Sequence, residues 1–142
     1  MSLKDEDRRI IVTLELERVD KTLKEMEIQR HNALWGLMAN RLYFSLFHAV
    51  SALLISEGHE VGTHRGAVNR FSLYYVKTGI FTPAEGRLYS QLQSLREDGD
   101  YNCSIDIQQK EAEDKIEPTL KLIEKIKQYI ANYRVIADNH SH

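Results

Sequence analysis

The sequence predicts an all-α fold, an antiparallel bundle of four to five helices, on three observations. Only 2 Pro and 7 Gly punctuate 142 residues, whereas a β-sandwich or barrel needs a turn every ~8–12 residues. Hydrophobic residues make up 42% and charged ones 28%, which supplies a core and solubility and excludes disorder as the dominant state. Apolar side chains also recur every three to four positions over long stretches without Gly or Pro. Helices that long, rising ~1.5 Å per residue, bury their stripes by lying side by side. One domain is expected over residues 1–142, with its core at about 4–133 and a flexible tail at 134–142.

The first helix is expected over 4–30, with Ile11, Leu14, the stem of Arg18, Leu23 and Met26 on its buried face. Asn32 is placed to cap a second helix over 33–56, the most apolar part of the chain, and Gly58 to end it in the left-handed conformation. Thr63 opens a short helix at about 64–77, closed by Gly79. Thr82-Pro83-Ala84-Glu85 reads as a capping box with proline at the first helical position. The helix behind it should run to about Glu97 and stop at Gly99. After a loop from Asn102 to Asp106, Ile116, Leu120, Ile123, Ile126, Ile130 and Tyr133 mark a last long helix, which Pro118 should kink or split.

Charge and cysteine usage exclude several function classes. A net charge of −2 argues against a uniformly basic nucleic-acid clamp. The single Cys103 excludes an internal disulfide and a cysteine-rich zinc site, and favours a reducing, cytoplasmic location. No stretch approaches the ~20 consecutive apolar residues of a membrane span, and neither a signal peptide nor a membrane partner is expected. There is no His-x-x-x-His pair, phosphate-binding glycine loop or nucleophile elbow, so no metal and no cofactor are expected.

The −2 conceals an uneven distribution. Residues 61–84 contain no acid but hold His64, Arg65, Arg70 and Lys77 beside Phe71, Tyr74 and Tyr75. Cations beside aromatic rings suit phosphate and base contact, or equally a short helix with Phe71 and Tyr75 in the core and solvated cations outside. Residues 97–117 carry eight acids, and the two fields could meet within a protomer or across a dimer. On the second helix Arg41, Ser45 and His48 share a face beside Tyr43, Phe44 and Phe47. A polar stripe in so apolar a helix needs partners: an ion pair for Arg41, a satisfied core position for His48, or jointly a ligand. The cluster Arg96-Glu97-Asp98-Gly99-Asp100-Tyr101 is one candidate partner.

These residues carry a resemblance. Arg41-Leu-Tyr-Phe-Ser-Leu-Phe-His48-Ala, then Glu57-Gly58 and Thr63-His64-Arg65-Gly66, then Arg87-Leu88-Tyr89 and Leu95-Arg96-Glu97-x-x-Asp100-Tyr101 before a long amphipathic helix, resemble the HEPN domains over roughly 32–133. The resemblance implies an up-and-down helical bundle, commonly a homodimer, that binds nucleotides or RNA. It also implies a minimal nucleotidyltransferase partner in a toxin–antitoxin or regulatory pair. Many such domains are metal-independent ribonucleases marked by Arg, four to six residues, then His, at the dimer interface. Here Arg96 is followed after four residues by Tyr101, and a tyrosine with an ordinary pKa near 10 is a poor base at neutral pH. Arg41 and His48 meet that spacing only formally, in the earlier helix.

The expectation is therefore a binding pocket: Arg41, Arg96 and His64 for phosphate, Tyr101 or Tyr43 for stacking or hydroxyl contact, with His48, Arg65 and Asp100 beside them. A ribonuclease using Arg96 with His48 or Tyr101 is the alternative. A scaffold with Arg41 and Arg96 locked in buried ion pairs is the third reading.

Overall fold

The computed structural model describes the backbone over residues 4–101 and 106–140, and side chains over 4–97 and 106–133. Cys103 and most of the expected loop at 102–106 lie outside the described residues, as do the side chains of Asp100 and Tyr101. Six α-helices and one π-helical stretch, with no strand among the described residues, form the helical bundle that the composition predicts.

Helix α1 spans Asp5–His31, with Asp5, Glu6 and Asp7 in its first turn and Arg30 and His31 in its last, each on the favourable end of the helix dipole. Its buried face is Val12, Glu15, Val19, Thr22 and Met26. This corrects the expected stripe by about one residue: Leu14 is 46% exposed and Arg18 points outward. The seam runs along Val12, Val19 and Met26 at seven-residue spacing, and Glu15 enters it because partners on α1 and on the next helix neutralise it.

The turn that follows also differs from expectation. Asn32 does not cap α2; its Nδ2 donates to the Ile28 carbonyl of α1 at 2.8 Å, and α2 starts later, spanning Trp35–Ser56. Ala33 reverses the chain at φ +58°. By length and composition α2 is long and apolar enough to cross a membrane, contrary to the count of consecutive apolar residues, but two thirds of that window is buried inside the bundle. Its packing against α1 is the most extensive between any two elements.

Gly58 ends α2 at φ +83°. Glu57 beside it accepts from the Tyr75 hydroxyl at 2.6 Å and the Tyr129 hydroxyl at 3.5 Å, tying three elements together at this end of the bundle. Thr63 caps α3, His64–Phe71, by accepting from Gly66 N at 2.9 Å. The expected single helix to about 77 changes to a π-helical stretch at Ser72–Val76, before Gly79 at φ +83°. Phe71 and Tyr75 of this acid-free segment are core residues.

The capping box closes in both directions: Thr82 N donates to Glu85 Oε1 at 2.7 Å, and Glu85 N to Thr82 Oγ1 at 3.2 Å. Helix α4, Pro83–Tyr101, then runs through Gly99 instead of stopping there, since an interior glycine costs only about 1 kcal/mol. Helix α5 is Gln109–Glu113 and α6 is Ile116–His140, whose backbone continues through much of the expected tail. The break expected of Pro118 is a split at Asp114–Lys115, four residues upstream, where a proline ring and its missing N–H oppose helical continuation. Ile116, Ile123, Ile126 and Ile130 face the core, while Leu120 and Tyr133 lie on the outer side.

Candidate functional site

The polar stripe of α2 is organised around the ring of Phe44. Spacing alone puts Arg41, Phe44 and His48 on one face of the helix, and two other helices bring the remaining groups. The Arg41 guanidinium lies 5.1 Å from the Phe44 centroid, and that of Arg96, from α4, lies 5.3 Å from it and 5.5 Å from Tyr43. The His64 ring, at the start of α3, lies 5.4 Å from Phe44 and 4.5 Å from Phe47. His48 is 6.3 Å from Phe44 and 5.5 Å from Phe47.

Each imidazole is held through Nδ1. His48 Nδ1 lies 2.8 Å from Glu15 Oε2, and Arg18 Nη1 donates to the other oxygen of that carboxylate at 2.6 Å. Burial alone raises the Glu15 carboxyl, but the His48 hydrogen bond and charge, followed by Arg18, overcome it and leave the group below its usual 4.5. Ionised Glu15 only accepts, so His48 Nδ1 carries the hydrogen.

His64 Nδ1 lies 3.1 Å from the Tyr43 hydroxyl. Burial pushes Tyr43 up to about 12, with Arg96 opposing and Glu97 reinforcing, so the phenol keeps its proton. That buried proton has no other partner among the described residues; it is donated to His64, which therefore carries its own hydrogen on Nε2. Burial, the Arg96 charge and His48 all depress His64 below 6.5. His64 is thus a neutral donor at pH 7, not a cation for phosphate.

The remaining predicted residues fall as follows. Arg41 is half-buried, with Nε and Nη2 on Asn40 Oδ1 at 3.0 and 2.7 Å and Nη1 on Glu25 Oε1 at 3.3 Å. Tyr43 is fully buried, so its ring has no face for a ligand and its hydroxyl serves His64. Arg65 is 74% exposed and pairs with Glu97 at 3.2 Å, which joins the basic and acidic stretches within one protomer. Arg70 turns away and donates to the Val61 carbonyl at 3.0 Å, and Tyr74 stacks on His59 at 4.1 Å. No group of three or more metal-ligating side chains occurs among the described residues.

Glu15 is the contributor that the sequence reading missed, whereas Phe44 and Glu97 stood there only as neighbours of the expected site residues. Phe44 sits three residues after Arg41, a spacing that places it on the same face. Glu15 shows only as an acid interrupting the Val12–Val19 seam. Glu97 accepts from Gln93 Nε2 at 3.3 Å while holding Arg65, and carries its charge close to Tyr43.

The chain is similar in sequence to several known proteins. The UPF0332 protein of Thermotoga maritima is 30% identical over 112 residues, 77% of this chain and 85% of its own. Two Methanocaldococcus jannaschii proteins whose names provisionally give them as toxins are 25% and 27% identical over 121 and 126 residues. Those alignments cover 85% and 89% of this chain, and 82% and 93% of theirs. The HEPN domain matches residues 13–129, from within α1 to within α6. The chain belongs to the HEPN domain family.

Proposed function

We propose that this chain is a HEPN module that binds the phosphate of a nucleotide or of RNA around Phe44, and works beside a minimal nucleotidyltransferase in a toxin–antitoxin or regulatory pair. One observation carries the site: two guanidiniums from different helices converge within 5.1 and 5.3 Å of one half-buried ring. Guanidinium forks match phosphate oxygens, and a partly exposed aromatic face adds a stacking surface beside them. The provisional toxin names of two relatives support the paired role.

Binding of ATP and of a short RNA, measured by calorimetry on the wild type and on Arg96→Ala, tests the reading. Micromolar to submillimolar affinity that falls at least tenfold in the variant is expected. Absence of binding at millimolar ligand overturns it.

A ribonuclease reading rests on a second observation, the Glu15–His48 hydrogen bond, which orients the imidazole and leaves its Nε2 for proton transfer. Incubation with RNA in EDTA tests it, and cleavage unchanged in both Arg96→Ala and His48→Ala removes those residues from the role. A pure scaffold fits less well, since the Arg41 side chain is 31% exposed and its pair with Glu25 is open to solvent.

A further inference from the structure

We propose that Arg70 is the positioning residue for His64: its guanidinium, laid over Gly62 and Gly66, clamps the chain that leads into α3 and so sets the imidazole against Phe44 and Phe47. The consequence for a ligand rests on the phosphate-binding reading above; the place of the ring does not.

Arg70 is a half-buried cation in a stretch, residues 61–84, that contains no acid. Arg18, Arg41 and Arg65 each lie on a carboxylate. Arg70 instead donates through Nη1 to the Val61 carbonyl at 3.0 Å, its one hydrogen bond among the described residues. A half-buried charge held on a single carbonyl points to a role in the backbone it holds.

Helical side chains lean towards the N-terminus, so Arg70 passes back over Gly66, one turn earlier, to Gly62, just ahead of the helix. Both positions admit it because they lack a Cβ. One added at Gly62 would lie 2.5 Å from Arg70 Nη1, and one at Gly66 would lie 2.8 Å from the same nitrogen and 2.9 Å from Thr63 Oγ1.

Gly62, at φ +69°, lies two residues before His64 and is the freest joint in the approach to α3. Its two sides are fixed separately, Val61 by Arg70 and Thr63 by Gly66 N, which donates to Thr63 Oγ1 at 2.9 Å. With the joint closed on both sides, His64 opens α3 with its ring 4.5 Å from Phe47 and 5.4 Å from Phe44, and with Nδ1 3.1 Å from the Tyr43 hydroxyl. Release of Val61 leaves one of the two restraints, and the ring moves outward into solvent.

The test follows the His64 ring by proton NMR in the full chain, its signal assigned by its loss in His64→Gln. Burial first, then the Arg96 charge and His48, hold His64 below 6.5. Arg70→Met keeps the stem and loses the donor, so it should move that titration up towards 6.5 as the ring gains water. It should also weaken ATP binding about two- to fivefold, the worth of a partly lost hydrogen bond. Gly66→Ala spares the fold, since alanine is the better helix former and its methyl meets only the ends of two flexible side chains. By displacing the guanidinium it should move the titration the same way with no loss of thermal stability. An unmoved titration in Arg70→Met, whatever happens to its melting temperature, makes Arg70 a merely structural clamp and overturns the proposal. Should Arg70→Met fail to fold, an unmoved titration in Gly66→Ala overturns it instead. Failure of the wild type to bind ATP overturns the phosphate reading, and the titration then decides the role of Arg70 alone.

Discussion

Glu15 Oε2 and His48 Nδ1, 33 positions apart in the chain, meet at 2.8 Å across the α1–α2 seam. The pair fixes the register of the two helices and the tautomer of the histidine together. Its stability contribution depends on pH with a definite sign. The Glu15 carboxyl is lowered from 4.5 in the folded chain, so its contribution is complete above the unfolded value and fades as pH falls through the folded one. Glu15→Gln should therefore lose about 1–3 kcal/mol at pH 7, the cost of disturbing a buried hydrogen bond to a charged group. Urea unfolding of both proteins should show that gap closing as the pH falls below 4.5. A gap independent of pH would assign the loss to packing.

Phe44→Leu removes the ring shared by Arg41 and Arg96 while keeping an apolar side chain of similar bulk. Two cation–π contacts at ~0.5–1 kcal/mol each predict about five- to thirtyfold weaker binding of ATP or RNA, with less than about 1.5 kcal/mol lost from the fold. Calorimetry and thermal melting on the same samples separate the two effects.

How much of this was legible in the sequence depended on distance along the chain. Caps at Thr63 and Thr82–Glu85 and the left-handed ends at Gly58 and Gly79 were legible because the interacting groups lie within four residues of each other. The face of α1 was misplaced because Ile11 and Leu14 compete with Val12 and Val19 for the same period, and contact with α2 decides between them. Asn32 departs from the expectation because one short amide can serve either the helix before it or the one after, and here its Nδ2 donates to the Ile28 carbonyl. Within the site, Arg41, Phe44 and His48 share a helix face and so announce themselves. The partners that give those residues their chemistry, Glu15, His64 and Arg96, come from three other helices at separations no local pattern encodes.

Glu97 sets the field at the edge of the site, holding Arg65 at 3.2 Å and raising Tyr43. Glu97→Gln removes one negative charge and releases a cation that is already 74% exposed. Affinity for ATP should rise about two- to fivefold at 50 mM salt and converge on the wild type near 0.5 M, where the Debye length is only a few ångströms. Stability should change by less than about 1 kcal/mol, as expected of an exposed pair. A gain in affinity that survives high salt would point to a rearranged pocket instead.

Tyr89, fully buried on α4, packs its ring 6.2 Å from Tyr43 and 5.8 Å from Phe71. Its hydroxyl has no hydrogen-bond partner among the described residues, and burial, with Tyr43 reinforcing, raises it well above 10. A buried hydroxyl without a partner costs about 1–3 kcal/mol of desolvation. Tyr89→Phe deletes that oxygen and keeps the ring, so it should leave stability unchanged or raise it by up to about 1 kcal/mol. The same substitution should leave ATP binding alone, because the Tyr43 hydroxyl keeps its bond to His64. Destabilisation of Tyr89→Phe by more than about 1 kcal/mol in urea unfolding would instead show that the hydroxyl is paired in solution.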